Sequence, residues 1–247
     1  MEAREAEVRV PAGFWERRAP MFAASMRQQS DPFLSFLEPW LLPGRTLIDA
    51  GAGFGRHAVP LAARLDWVTA VEPAEAMRAL IPPLDNLTVV ASSWEDAEVA
   101  PADLVICSHV LYGVADPVPF LQKLASCARE RVFIYLRDRQ QLAVADQLYA
   151  VLAGRPRSRQ PVFQDLYNLL RQLGVDPDVS LLRYPAFIRY QDLEQALADC
   201  RERVGPAWDE ERGRAWLEGN LRAEADGGLV YEGGEMVSGV AHWQPRG

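Results

Sequence analysis

Thr46-Leu47-Ile48-Asp49-Ala50-Gly51-Ala52-Gly53-Phe54-Gly55 is the stretch on which the fold turns. Thr46–Ala50 reads as a buried strand, the glycines at alternate positions force a tight turn, and Ala58, Leu61, Ala62 and Leu65 then recur at helical spacing. A strand that runs through such a turn into a helix puts bare main chain at the carboxyl end of the first parallel strand. Missing Cβ atoms there leave room for a nucleotide-like ligand against the backbone.

Outward from that unit, Trp67–Glu72, Leu87–Ala91, Asp103–Ser108 and Arg131–Leu136 are short apolar runs that read as further strands. They lack polar alternation, so both faces of the sheet must be covered, and the helical stretches between them make parallel βαβ units the expected topology. One of those helices opens at Asp116-Pro117 and carries Leu121, Leu124, Ala125 and Ala128 on one stripe. Near the end, Leu229 to Trp243 predicts two strands around Gly233-Gly234, a hairpin signal. The expectation is an α/β fold with a doubly wound, mostly parallel, seven-stranded sheet of order 3-2-1-4-5-7-6 and a C-terminal antiparallel hairpin. Residues 1–43 are expected to be a helical segment over the ligand site, starting a helix at Asp31-Pro32 and bearing Phe33, Phe36, Leu37, Trp40 and Leu41. Residues 44–139 and 221–247 form the core of this reading. Residues 140–220 form an inserted helical lid, with an apolar stretch, Val179–Tyr190, interrupted by Pro185.

The 247 residues are 49% hydrophobic and 24% charged, ordinary for a globular chain, which argues against disorder, collagen-like repeats and coiled coil. A net charge of −8 disfavours a chain-wide grip on nucleic acid or anionic lipid. Three cysteines, Cys107, Cys127 and Cys200, form no Cys-x-x-Cys pair, so neither a disulfide framework nor a zinc site is expected. The N-terminus lacks a basic start and an apolar core, and no run of 18 apolar residues occurs, so a cytoplasmic chain without membrane segments is expected.

Two acids mark the chemistry. Asp49 is a fixed anion just below the glycine turn, and Glu72 ends the second strand 23 positions later, where a carboxylate can accept from both hydroxyls of a ribose. A nicotinamide site would call for Gly-x-Gly-x-x-Gly, but that count puts Arg56 where the third glycine belongs.

From about Leu47 to Leu136 the chain resembles the class I S-adenosylmethionine-dependent methyltransferases, of the group acting mostly on small molecules. Four landmarks occur in the family's order: the glycine loop Asp49–Gly55, the acidic strand end Glu72-Pro73, Ser92-Ser93-Trp94-Glu95-Asp96, and Asp103 to Tyr112 on and after strand four. The resemblance implies S-adenosyl-L-methionine as cofactor, with Gly51, Ala52 and Gly53 along its methionine part and Asp49 near its ammonium group. It implies that Glu72 and Pro73 lie at the ribose. The family often has an aspartate after strand three to meet the adenine amine; Ser93 stands there in this chain, followed by Trp94, so backbone groups of this pair would read the base, the indole or Ala74 would pack on it, and Asp96 is a second acceptor. Ser108, His109 and Tyr112 would face the methyl donor and a small-molecule acceptor, with His109 the best-placed base where one is needed.

Structural roles stand beside these readings. The glycines can serve a plain turn, Glu72 can cap a helix, and Trp94 and Tyr112 can be packing aromatics. His57 reads as structural, and Arg155, Arg157 and Arg159 read as a solvated basic loop. Phe14, Trp15, Met21 and Phe22 either cover the site or pad the sheet. Rival functions are a methyltransferase acting on RNA or protein, a noncatalytic S-adenosylmethionine-binding protein whose acceptor pocket Tyr112 and Trp94 fill, and a nucleotide-binding oxidoreductase. The acceptor atom, the oligomeric state and any lid movement are not written in the sequence.

Overall fold

The computed structural model describes Ala19, Ala23 and residues 31–138, 144–157 and 161–245. Two compact units divide it, Met1–Asp138 with Pro161–Leu182 and Val237–Gly247, and Arg139–Gln160 with Arg183–Met236. In chain order the elements are α1 (Pro32–Leu37), β1 (Thr46–Ala50), α2 (Ala58–Ala62), β2 (Trp67–Val71), α3 (Glu75–Arg78) and β3 (Leu87–Val90). Then come β4 (Ala102–Ser108), α4 (Pro117–Cys127), β5 (Ala128–Arg137), α5 (Val144–Ala153), α6 (Phe163–Gln172) and β6 (Asp178–Tyr190). The chain ends with α7 (Leu193–Val204), α8 (Glu210–Asn220), β7 (Arg222–Ala223) and β8 (Leu229–Trp243).

The sheet runs β3-β2-β1-β4-β5-β8-β6, with β7 paired to β8 off that path. β1 pairs in parallel with β2 and β4, β2 with β3, and β4 with β5, while β8 is antiparallel to β5. This is the doubly wound order expected from the apolar runs. The strand order reverses direction between β1 and β4, so a crevice opens at their carboxyl ends, beyond Ala50 and Ser108.

The C-terminal hairpin is placed differently from the expectation. Gly233-Gly234 is no turn; both residues lie inside the single long strand β8. The turn is instead at Asp226-Gly227, where Glu224 N–H donates to the Gly228 carbonyl at 2.8 Å and Gly227 takes a φ of 88°. It joins β7 to β8 through the pairs Arg222↔Val230 and Ala223↔Leu229. The far neighbour of β8 is β6, which the sequence reading leaves as an interrupted stretch in a helical insertion. Pro185 is tolerated because β6 is last in the sheet, where a missing N–H can face away from the ladder.

In the first unit the interior strands bury Ile48, Val105, Cys107, Val132 and Ile134 against α4 and α6. Helix α6, expected in the insertion, belongs to this unit. Its Phe163 ring lies on the bare Gly239 of β8, where a Cβ would come within 2.3 Å of the ring. On α1, the Asp31 carboxylate caps the helix by accepting from Phe33 and Leu34 N–H, and Phe33 stacks on Tyr135 with centroids 4.7 Å apart. Phe36 and Trp40 close around Phe133 and His242. Phe14, Trp15, Met21 and Phe22 lie outside the described residues.

In the second unit, Tyr190 Oη donates to the buried Asp199 carboxylate at 3.0 Å. Arg157 pairs with Asp146, donates to the Arg203 carbonyl and lies over the Tyr149 ring. Arg157 is therefore a structural tie, and Arg155 is exposed; Arg159 lies outside the described residues. Among the described residues no helix is long and apolar enough to cross a membrane.

Phe33 is fully buried. Phe33→Ala should lower unfolding free energy by about 3–5 kcal/mol, read by urea denaturation. A loss under about 1 kcal/mol would mean that α1 is not anchored through this ring.

Candidate functional site

The turn after β1 is held by its own backbone. Gly51 and Ala52 N–H both donate to the Val71 carbonyl, at 2.9 and 3.0 Å, which fixes the end of β1 to the end of β2. Gly51 has φ 82° and Gly53 φ 56°, both left-handed, the reason alternate residues must be glycine. The two differ in what surrounds them. A Cβ on Gly51 would stand 2.3 Å from Val110 Cγ2, whereas a Cβ on Gly53 meets nothing within 4 Å. Gly51 thus admits the loop after β4, and Gly53 presents open main chain.

Glu72 reaches across from the end of β2. Its Oε2 accepts from Gly53 N–H at 2.9 Å and its Oε1 from Ala74 N–H at 2.8 Å. Burial pushes its pKa up, against the pull of those two N–H groups. An ionised carboxylate offers about four acceptor positions, so two remain for ligand hydroxyls. Pro73 next to it is exposed, and the Arg78 guanidinium donates to the Glu72 and Pro73 carbonyls.

Asp49 lies below the turn, 1% exposed, and neither carboxylate oxygen has a hydrogen-bond partner. Burial pushes its pKa up to about 6; Glu72 and Asp31 add to the rise, while His57 and the Ala58 N–H oppose it. The nearby basic side chains are committed elsewhere. Asp31 Oδ2 takes Arg56 Nε at 2.5 Å and lies 3.0 Å from His57 Nε2. Although burial alone would raise the Asp31 pKa, these two partners hold it well below the usual carboxylate range. His57 therefore serves the framework, joining the helix after the turn to the cap of α1.

At the end of β4, Ser108 is half-buried and pairs with Tyr135, and His109 follows with φ 58°, the one non-glycine residue at positive φ among the described residues. Such a conformation costs about 1–2 kcal/mol and persists where neighbours over-determine it. Here His109 N–H donates to the Tyr135 carbonyl at 2.9 Å, and Nδ1 lies 2.8 Å from Tyr112 Oη. Arg137 N–H donates to that same phenolic oxygen at 2.9 Å. Burial, then the Arg137 charge, pushes the His109 pKa well below its usual value, so the ring is neutral. The tautomer sets the direction of this contact: when the phenol donates to Nδ1 the ring proton sits on Nε2, and when Nδ1 carries the proton Nε2 is left as an acceptor.

The segment after β3 departs from its expected use. Trp94 is buried in the core with its indole N–H toward the Phe120 carbonyl at 3.3 Å, so the ring is not free to stack on a ligand. Ser93 Oγ donates to Asp96 at 2.8 Å and accepts from Asp96 N–H, and the Ser93 carbonyl accepts from Ala97 N–H. Exposed Asp96 remains as an acceptor. Ala74 packs with Phe54, Met77, Ala19 and Ala23.

The structure brings Asp49, Gly51, Ala52, Gly53 and Glu72 together around one turn, and His109 and Tyr112 into direct contact at the next strand. Sequence reasoning missed Val110 as the plug of Gly51 and Asp31 as the clamp of Arg56 and His57. Asp31-Pro32 signals a helix cap, but no local pattern announces a partner 25 residues away.

A family model described as a methyltransferase domain matches residues 22–177. Solved structures share the fold. A candidate methyltransferase from an antibiotic biosynthesis pathway of Anabaena variabilis is 17% identical, with 87% of this chain and 98% of that one covered and a TM-score of 0.58. A candidate methyltransferase of Bacillus halodurans is 13% identical, covering 88% and 100%, at a TM-score of 0.55. The YcgJ protein of Bacillus subtilis is 11% identical, covering 84% and 97%, at 0.53. No curated protein matches the chain.

Gly51→Ala should destabilise more than Gly53→Ala in thermal or urea unfolding. Both cost about 1–2 kcal/mol for the left-handed backbone, and only the first also displaces Val110. Adding Val110→Ala should return part of the Gly51→Ala loss and none of the Gly53→Ala loss. Asp49 binds its proton more tightly folded than unfolded, so its contribution to stability falls as pH rises from about 4 to about 6, by on the order of 3 kcal/mol. Asp49→Asn should flatten that segment of the stability profile; an unchanged slope would show that Asp49 titrates normally.

Proposed function

The chain belongs to the methyltransferase-domain family as an S-adenosylmethionine-dependent enzyme, and we propose that it methylates an O, N or C atom of a small molecule. The observation that carries the assignment of the site is the open Gly53 backbone beside the Glu72 carboxylate, above a buried Asp49 with no partner. These residues fit the donor. Uncompensated negative charge suits a cation, two free acceptor positions on Glu72 suit a diol, and the absent side chain at Gly53 suits close approach of a ligand.

When bound, S-adenosylmethionine supplies an electrophilic methyl carbon on a positively charged sulfur. Asp49 holds negative charge beneath the turn for the ammonium group, directly or through water. Glu72, itself fixed by Gly53 and Ala74 N–H, holds the ribose hydroxyls. Asp96 and the backbone of Ser93 and Trp94 take the base edge, while the Trp94 indole stays in the core. Ser108 marks the border between donor and acceptor.

His109 and Tyr112 act as one unit on the acceptor side. In this reading the phenol donates to Nδ1 and the neutral ring keeps its proton on Nε2, so His109 orients the acceptor by donating a hydrogen bond. Tyr112 sets the tautomer and direction of the ring. In this role the pair aligns a nucleophile that arrives with a lone pair available, and no strong base is required. A small acceptor is supported by the net charge of −8 and by Arg157 being tied to Asp146 and the Arg203 carbonyl.

Calorimetry with S-adenosylmethionine and transfer of a labelled methyl group to a panel of small amines, phenols and acids, set beside RNA and protein extracts, tests this reading. Label appearing only in macromolecules would overturn the small-molecule assignment. Glu72→Ala should weaken donor binding by about 1.5–3 kcal/mol, and unchanged affinity would remove Glu72 from the site.

A further inference from the structure

Arg137 is the last residue of β5, half-buried, with its guanidinium carbon 4.9 Å from the centre of the Tyr112 ring. No carboxylate or carbonyl oxygen among the described residues engages that guanidinium. The described arginines otherwise find such partners: Arg45 takes Glu130, Arg56 takes Asp31, Arg78 takes two carbonyls, Arg131 takes Asp178, and Arg189 takes Glu224. Arg155, also without one, sits on an exposed loop. A half-buried guanidinium with five donors and no internal acceptor is left available to an acceptor group from outside the chain.

The position narrows what that something is. Arg137 follows the register Ser108↔Tyr135 by two residues, so it projects from the carboxyl end of the sheet beside His109 and Tyr112. Strands β1, β4 and β5 are consecutive neighbours, which sets Arg137 about 10 Å across the sheet from the glycine turn. That is the acceptor's side of His109. A planar fork lying on an aromatic ring presents its edge for two parallel hydrogen bonds to a carboxylate or phosphate.

We propose that Arg137, shelved on Tyr112, is the specificity-determining residue that receives an anionic carboxylate or phosphate group of the methyl acceptor. The proposal rests on the methyl-transfer reading above. Tyr112 then has two jobs, fixing the His109 ring through its hydroxyl and supporting the guanidinium through its face.

The test is an NMR titration of the full chain, following the arginine Nε–H signals, with benzoate, phenyl phosphate and benzamide, each with and without saturating S-adenosylhomocysteine. Saturable shifts of the Arg137 signal by benzoate or phenyl phosphate, none by benzamide, and loss of anion binding by at least about tenfold in Arg137→Met would bear the proposal out, provided S-adenosylhomocysteine affinity changes less than about twofold. Arg137→Lys should keep part of the binding. Absence of saturable binding by both anions, anion binding undiminished in Arg137→Met, or a tenfold loss of S-adenosylhomocysteine binding in that variant would overturn it, the last by assigning Arg137 to the donor's own carboxylate. Failure of S-adenosylhomocysteine to bind wild type would instead remove the methyl-transfer reading, while the anion titration still judges Arg137.

Discussion

A single carboxylate, Glu72, ties together the two backbone turns on which the site depends. By accepting from Gly53 on the first βα connection and Ala74 on the second, it locks the carboxyl ends of β1 and β2 to each other from above, while the shared Val71 carbonyl locks them from below. Charged acceptors of this kind make the stronger hydrogen bonds. On the proposed reading, the structural and binding roles of this residue are one arrangement.

Charge is distributed unevenly around that lock. Asp31, Asp49 and Glu72 are buried or partly buried acids near one turn, and the nearby basic side chains Arg56 and His57 both face Asp31. Asp49 is left with burial raising its pKa and nothing to satisfy its oxygens. An apolar or anionic ligand would gain nothing from such a place; a cationic one would relieve it. Across the crevice the sign reverses, with Arg137 open and His109 kept neutral in part by that charge. On the proposed reading, the two halves of the site would therefore suit opposite charges.

What was legible in the residues was whatever local physics repeats. Apolar runs marked the first four parallel strands within one residue and the fifth within three, the alternate glycines marked the turn, and Asp31-Pro32 and Asp116-Pro117 marked helix starts that the cap hydrogen bonds bear out. Misreadings came where two local signals competed. Gly233-Gly234 looked like a turn, but the ladder to neighbouring strands carried β8 straight through it, and Asp226-Gly227 made the turn instead. Pro185 argued against a strand, and only the edge position of β6 removes that objection.

By itself the sequence determined the class of sheet, the order of its first five strands, the bare turn after β1 and the acid that ends β2, because hydrophobic period, glycine conformation and charge position are properties of neighbours in the chain. Tertiary structure alone decided that Val110 fills the space at Gly51 while Gly53 stays open, that Trp94 belongs to the core, that Tyr112 orients His109, and that Arg137 lacks an internal acceptor. Each of those outcomes depends on which side chains arrive from other strands, and no periodicity along one segment encodes what another segment will bring to meet it.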